Sequence, residues 1–431
     1  MLYSLYELGH MSVAPLRIAA LMQSSMLRSP LNPLGDTEAG RTAAAAADLF
    51  ESMTRRYKKP DWQLPTTTIN GVDVGVTPVS AWSSPWANMI HFERDADALK
   101  QARGDKSDPT VLIVAPMSGH YATLLRDTVS AFLPDHEVYV TDWADARMVP
   151  VIAGRFDLND YIDHVMGMLR ALGPQTHVVA VCQPGPAVLA AVSLMAEEDD
   201  PCTPATMTIM GSPIDARKSP TAPNLLAEQR DIGWFKTNMI HTVPAIYPGA
   251  FRRVYPGFVQ LASFMGMNLS SHVDAHRGYF ENLVKGDGEP AEKHRKFYDE
   301  YLAVMDLSEE FYIQTLIEIF QEYRLPNGTM THRGRKVDPS KITKTALLTV
   351  EGENDDISGI GQTQAAHDIC GNIPEQMRRD YIQPGVGHYG VFSGRRFRTE
   401  IYPRVREFMR NFHSNASRNA KRANLKLVSE G

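Results

Sequence analysis

The sequence predicts an α/β protein built on a mostly parallel sheet, and three observations carry that expectation. Short apolar runs recur from residue 109 onward: Val111–Val114, Val138–Thr141, His177–Val181, Met207–Met210 and Ala346–Val350. They lack the alternation of a half-exposed strand, so both faces are expected to be buried, as in a sheet covered by helices on both sides. Helical stretches such as Tyr161–Leu172 and Ala187–Glu198 lie between the runs, giving the strand–helix alternation of a parallel sheet. The alternation stops between residues 216 and 340 and resumes afterwards, as expected for an insertion.

Taken in order, residues 1–108 are expected to form a helical N-terminal extension. Ile18, Leu21 and Met22 fall at helical spacing, and a second stretch runs from Glu38 through alanines 43–47 to about Tyr57 before Pro60 and Pro65. Residues 109–215 form the first part of the α/β core. Residues 216–340 form a mostly helical lid, with helices expected at Pro290–Val304 and Ser308–Leu325. Asp306, three residues before Glu309, is the expected cap of the second of these. In that lid Met239, Trp234, Phe258 and Phe264 are either contacts for an apolar substrate or the insertion's own small core. Residues 341–412 complete the core and end in a helix, Tyr402–Phe412, and residues 413–431 read as a polar tail.

Composition narrows the function classes. The chain has 431 residues, with Lys+Arg 44 against Asp+Glu 50, a formal charge of −6 that argues against a broadly basic nucleic-acid binder. No run approaches the ~18 apolar residues of a membrane span, and the start lacks a secretory pattern, so a cytoplasmic chain is expected. The three cysteines, Cys182, Cys202 and Cys370, are too few and too scattered for a disulfide framework or a zinc site. No cofactor or metal is expected.

One segment carries chemistry. Thr176 through Val181 is an apolar strand that runs into Cys182-Gln-Pro184 and then a helix beginning at Gly185. That layout is a nucleophile elbow, with a reactive side chain at the strand-to-helix apex. Ala180 is suitably small, and Pro184 suits a helix start because no amide donor is required there. The helix N-terminus would turn its partial positive charge toward Cys182 and favour the thiolate. In such a fold an acid and a base follow the nucleophile in chain order. Asp355 follows the run Ala346–Val350, and His388 lies in the glycine-rich Gly385-Val-Gly387-His388-Tyr-Gly390. Asp356 and Asp215 are the alternatives for the acid. The oxyanion hole needs two backbone donors. One is expected from Gln183, the other from Met117 or Ser118 in the loop after Val111–Val114. Cys202 and Cys370 have no such surroundings and read as packing.

The chain resembles the intracellular poly(3-hydroxybutyrate) depolymerases. The likeness extends along almost the whole length. It includes Met1-Leu-Tyr-Ser-Leu-Tyr-Glu7, Asn32-Pro-Leu34, the Tyr57–Pro60 region, Val114-Ala-Pro-Met-Ser-Gly-His-Tyr121, Thr141-Asp-Trp143, Phe156-Asp-Leu158, Val181-Cys-Gln-Pro184 and Gly387-His388. The Ala-Pro-Met-Ser-Gly-His and Val-Cys-Gln-Pro segments are the most specific. The resemblance implies an α/β-hydrolase fold with a cysteine nucleophile, related to the polyester synthases, and puts Cys182, Asp355 and His388 in the triad. It further implies cleavage of amorphous polyhydroxyalkanoate at the surface of cytoplasmic granules, through an acyl-cysteine that passes to water or to a thiol such as coenzyme A. The alternatives are a polyester synthase-like acyltransferase, whose elbow carries glycines where this chain has Ala180 and Pro184, a small-ester hydrolase or thioesterase, and a non-catalytic granule protein.

Overall fold

In a computed structural model, which describes residues 2–267 and 269–413, nine strands form one sheet. They are β1 (Thr66–Ile69), β2 (Val72–Ser83), β3 (Ala87–Arg94), β4 (Thr110–Val114), β5 (Glu137–Trp143), β6 (His177–Val181), β7 (Thr206–Met210), β13 (Ala346–Gly352) and β14 (Arg378–Gln383). Five short strands lie in the interval between β7 and β13. β8 (His241–Thr242), β9 (Arg253–Tyr255) and β10 (Leu307–Ser308) form one small sheet, and β11 (Thr331–His332) pairs with β12 (Arg335–Lys336). The main sheet runs β1-β2-β3-β5-β4-β6-β7-β13-β14. From β5 to β14 every pairing is parallel, and β1 to β3 add an antiparallel edge.

Alternate residues of the parallel strands feed two cores. Leu112, Val114, Val178, Ala180, Met207 and Ile209 pack on one side against α5 (Leu158–Leu172) and α6 (Gly185–Glu197). Val111, Ile113, Val138, Val140, Val179 and Val181 pack on the other against α4 (Arg126–Phe132) and the terminal helix at 402–413. This is the three-layer arrangement that the unbroken apolar runs predict. A capping box of Asp157 and Asp160 starts α5, and Gly173 at φ 84° follows its end.

The sequence places residues 66–94 inside a helical extension, but they form β1–β3. The N-terminal helices are α1 (Leu2–Leu27) and α2 (Glu38–Thr54), which pack on each other, and Ala44, Ala45 and Ala47 of the alanine run are buried. β2 does alternate, burying Val74 and Val76 between exposed neighbours, but Gly75 and Pro78 dilute the signal. α3 (Ala96–Arg103) then leads into β4.

The insertion holds α7 (Ala222–Gln229), α8 (Ile232–Asn238), α9 (Gly257–Met267), α10 (Leu269–Lys285), α11 (Gly288–Tyr301) and α12 (Glu309–Thr315). Ser308, not Asp306, caps α12, by accepting from the Phe311 amide. Asp306 has another task. Fully buried, it accepts from the Tyr3 hydroxyl (2.7 Å) and from the Gly257 amide (2.9 Å). Asp145, whose side chain bonds Arg147 at 2.8 Å, accepts from the Asp306 amide. Burial, reinforced by the charge of Asp145 and opposed by Arg147, pushes the Asp306 carboxyl up to about 7. This network fastens α1, the core and the insertion together. Residues 414–431 of the expected polar tail lie outside the described residues.

Removing one partner of a buried, charge-assisted hydrogen bond costs about 1–3 kcal/mol. Tyr3→Phe is therefore expected to lower stability at neutral pH by that amount, measured by urea unfolding. An unchanged unfolding midpoint would mean that the bond to Asp306 does not anchor α1.

Candidate active site

Four loops meet at the C-terminal ends of parallel strands, where open α/β sheets place their ligands. The first joins β6 to α6 and carries Cys182 at φ 68°. The left-handed backbone turns the side chain out of the strand, and the Cys182 amide still donates to Met210 O at 2.8 Å. This turn needs close packing beneath it. A β-carbon at Gly185 would lie 2.5 Å from Cβ of Ser212 and 2.9 Å from Cγ2 of Ile209, so only glycine fits. Ser212 also donates its hydroxyl to the Cys182 carbonyl.

The loop after β13 carries Asp355 and the loop after β14 carries His388. Nδ1 of His388 bonds Oδ2 of Asp355 at 2.8 Å and Oδ1 at 3.0 Å, and both side chains are buried. Asp355 is held in turn by the amides of Ile357 (2.9 Å) and Ser358 (2.8 Å). The Cys182 side chain lies close enough to favour the charged form of His388. With Nδ1 committed to Asp355, Nε2 is the nitrogen left to serve the thiol. Gly211, at φ 55°, passes close to this pair, where an added β-carbon would meet Oδ2 of Asp355 and Cε1 of His388 at 3.3 Å each.

The two other aspartates lie elsewhere. Asp356 is exposed, and Asp215 forms an ion pair with Arg217 at 2.7 Å. The remaining thiols are also apart from the site. Burial pushes Cys370 up to about 12, and Cys202 Sγ faces Arg170 O at 3.9 Å.

The fourth loop follows β4. The Met117 amide donates to Oε1 of Gln183 at 3.2 Å, so one expected oxyanion donor already has a partner within the protein, a side-chain carboxamide. The same loop is sewn to the insertion. The Met305 amide donates to Gly119 O at 2.7 Å, His120 and Val304 form a β-bridge, and the His120 ring contacts Tyr301 O at 3.0 Å. Full burial lowers His120 to about 4, so it stays neutral. Loop and lid are therefore one construction.

A cavity of about 400 Å³ opens over Cys182 and His388. The insertion supplies apolar walls through Phe235, Met239, Tyr255, Phe264, Tyr312 and Phe320. Of the four lid residues in question from the sequence, Met239 and Phe264 line the cavity. Trp234 stacks edge-on against Phe235, and Phe258 packs between Tyr3 and Tyr6. Among the described residues no cluster of His, Cys, Asp and Glu is arranged to hold a metal. The supporting roles of Ser212 and Gly211 escape sequence reasoning, although the segment Gly211-Ser-Pro directly after an apolar run marks a tight turn at a strand end.

Residues 211–413 match the family model described as the PHB de-polymerase C-terminus. That match supports kinship with the PHB depolymerases. The fold is that of the α/β-hydrolases, and family and fold together support an ester hydrolase. No curated protein matches the chain. Among solved structures, it is similar to a putative lipase from Acinetobacter baumannii AYE (12% identity, 79% of this chain and 93% of that one, TM-score 0.40). It is also similar to a monoacylglycerol lipase from Paleococcus ferrophilus (11% identity, 71% and 96%, TM-score 0.41) and to DcsB bound to a substrate analogue (14% identity, 79% and 100%, TM-score 0.44). These likenesses are distant, and the strand order carries the fold assignment.

The electrostatics of the pair can be tested directly. Burial of His388 opposes its charge, but its interaction with Cys182 and the bond to Asp355 prevail, raising the imidazole from 6.5 to about 10. A raised folded value stabilises the fold fully below pH 6.5, and the contribution disappears as pH rises through about 10. In Cys182→Ala, the leading favourable cause is gone, so the His388 imidazole is expected to titrate at lower pH by NMR. An unchanged titration would show that no thiolate–imidazolium pair exists.

Proposed function

We propose that the chain is a polyhydroxyalkanoate depolymerase that cleaves ester bonds of amorphous poly(3-hydroxybutyrate) through an acyl-cysteine. One observation carries this reading: Cys182 sits on a strained left-handed apex at the floor of an apolar cavity, beside a histidine paired with a buried aspartate. That is the geometry of an activated nucleophile, in which a base within reach is oriented by a third group.

The steps follow from the atoms. Cys182 gives its proton to His388 Nε2, and Asp355 fixes the ring and offsets the imidazolium charge. The thiolate attacks the ester carbonyl. The oxyanion takes hydrogen bonds from the amides of Gln183 and of Met117 or Ser118. As the C–O bond breaks, His388 gives the proton to the departing alkoxide oxygen, which leaves as a hydroxyl. Water then attacks the thioester, with His388 as base. The 3-hydroxyacyl unit leaves as a carboxylic acid and the thiol is restored. A thiol such as coenzyme A in place of water would instead carry the unit away as a thioester. Apolar walls suit a substrate that offers methylated ester units and few hydrogen-bond donors.

The granule surface inside the cell is the location that this substrate implies. No helix among the described residues is long and apolar enough to cross a membrane.

Release of 3-hydroxybutyrate from amorphous polymer particles by wild type and Cys182→Ala, side by side, tests the reading. Removing a nucleophile is expected to lower turnover by about three orders of magnitude or more, with folding unchanged. Equal release by the two proteins would refute the acyl-cysteine. Polymer growth from 3-hydroxybutyryl-CoA would favour the acyltransferase, and turnover confined to short soluble esters would favour a small-ester hydrolase.

A further inference from the structure

α1 is charged on its inside and apolar on its outside. Ten of its large apolar side chains are exposed, among them Leu5, Leu8, Met11, Leu16, Met22 and Met26. Its one acidic residue, Glu7, and its one arginine, Arg17, both turn inward, and its one histidine, His10, is half-buried and stacks on Tyr6. Glu7 is buried against Arg56 and accepts from the Tyr247 hydroxyl at 2.9 Å, while Arg17 donates to Thr54 O in the segment that closes α2. Every exposed residue of α1 is uncharged. A 26-residue helix is about 39 Å long. Soluble monomers rarely leave an apolar patch larger than a few hundred Å², and larger ones mark interaction sites.

We propose that the outward face of α1 docks on the uncharged surface of the polyester itself, a proposal that rests on the depolymerase reading. Charge selects this occupant. A helix that lies on anionic lipid carries Lys and Arg on its polar face, and α1 exposes neither. A coiled-coil partner needs a narrow apolar seam flanked by charged positions. The exposed apolar residues of α1 are instead spread over a wide arc without charged flanks. An apolar polymer surface without formal charge requires neither feature. Position agrees with this. Tyr6 stacks on Phe258 of α9 with ring centroids 4.0 Å apart, and Phe264 of the same helix lines the cavity over Cys182. Docking through α1 would hold the polymer surface next to the cavity wall.

The test uses the full chain carrying Cys182→Ala, so that bound polymer is not consumed. Its co-sedimentation with bare amorphous poly(3-hydroxybutyrate) particles is compared with that of the same chain carrying Leu8→Gln, Met11→Gln, Met22→Gln and Met26→Gln. The four changes are expected to weaken particle binding at least tenfold. In the Cys182 background they are expected to leave turnover of a short soluble ester within twofold, which shows that the variant folds. Vesicles of phosphatidylcholine and phosphatidylglycerol are expected not to compete. Particle binding unchanged within twofold overturns the proposal. So does preferential binding to the vesicles, which would make lipid the occupant. Loss of a dimer in analytical ultracentrifugation with particle binding retained would make a second copy the occupant. Binding through α1 without release of 3-hydroxybutyrate by the wild type would leave the docking intact and remove the depolymerase reading. Release without α1-dependent binding would do the reverse.

Discussion

The backbone at Cys182 turns through φ 68° because β6 must end and α6 must begin within three residues. A non-glycine residue resists that conformation, so the surroundings have to impose it. They do so by close approach: α6 meets the β7 loop where Gly185 has no room for a side chain, and Ser212 takes up the Cys182 carbonyl. The strain lifts the thiol to the end of the sheet, where the loops after β13 and β14 bring Asp355 and His388. Without the turn the three groups would lie at separate strand ends, β6 being divided from β13 by β7, with no common point.

A second constraint holds the roof in place. Asp306, Asp145, Arg147 and Tyr3 form a buried polar cluster with two carboxylates and one guanidinium. Burying unlike charges is tolerable only when each is paired and hydrogen-bonded. Here the partners come from α1, from the loop after β5 and from the insertion, so satisfying the cluster requires all three to be docked. The same stretch of the insertion, from Tyr301 to Met305, then lies along the oxyanion loop. The cavity roof and the loop after β4 thus depend on one piece of chain.

Much of this was legible in the sequence. The five apolar runs became β4, β5, β6, β7 and β13 because strands buried on both faces must be continuously apolar. The elbow was readable because Ala180, Pro184 and Gly185 each satisfy a local steric need around Cys182. The loop after Ala346–Val350 points to Asp355 as the acid, but spacing does not separate it firmly from Asp356, since adjacent carboxylates differ only in the direction the loop gives them. β1–β3 were missed because a sheet edge exposed on one face accepts polar residues, Gly75 and Pro78. β14 reads Arg-Arg-Asp-Tyr-Ile-Gln, a polar edge strand with almost no hydrophobic signal. Asp306 looked like a cap from spacing alone. Its contacts come from residues 3, 145 and 257, and no local pattern reports them.

The proposed chemistry rests on a covalent bond to one sulfur atom. The most direct measurement is the intact mass of the protein, acid-quenched during turnover of a soluble 3-hydroxybutyrate oligomer, followed by peptide mapping. The expected result is a gain of one 3-hydroxyacyl chain on the peptide containing Cys182, absent from Cys182→Ala. Full turnover with Cys182 unmodified at every quench time, or an adduct on Ser118 instead, would contradict the acyl-cysteine.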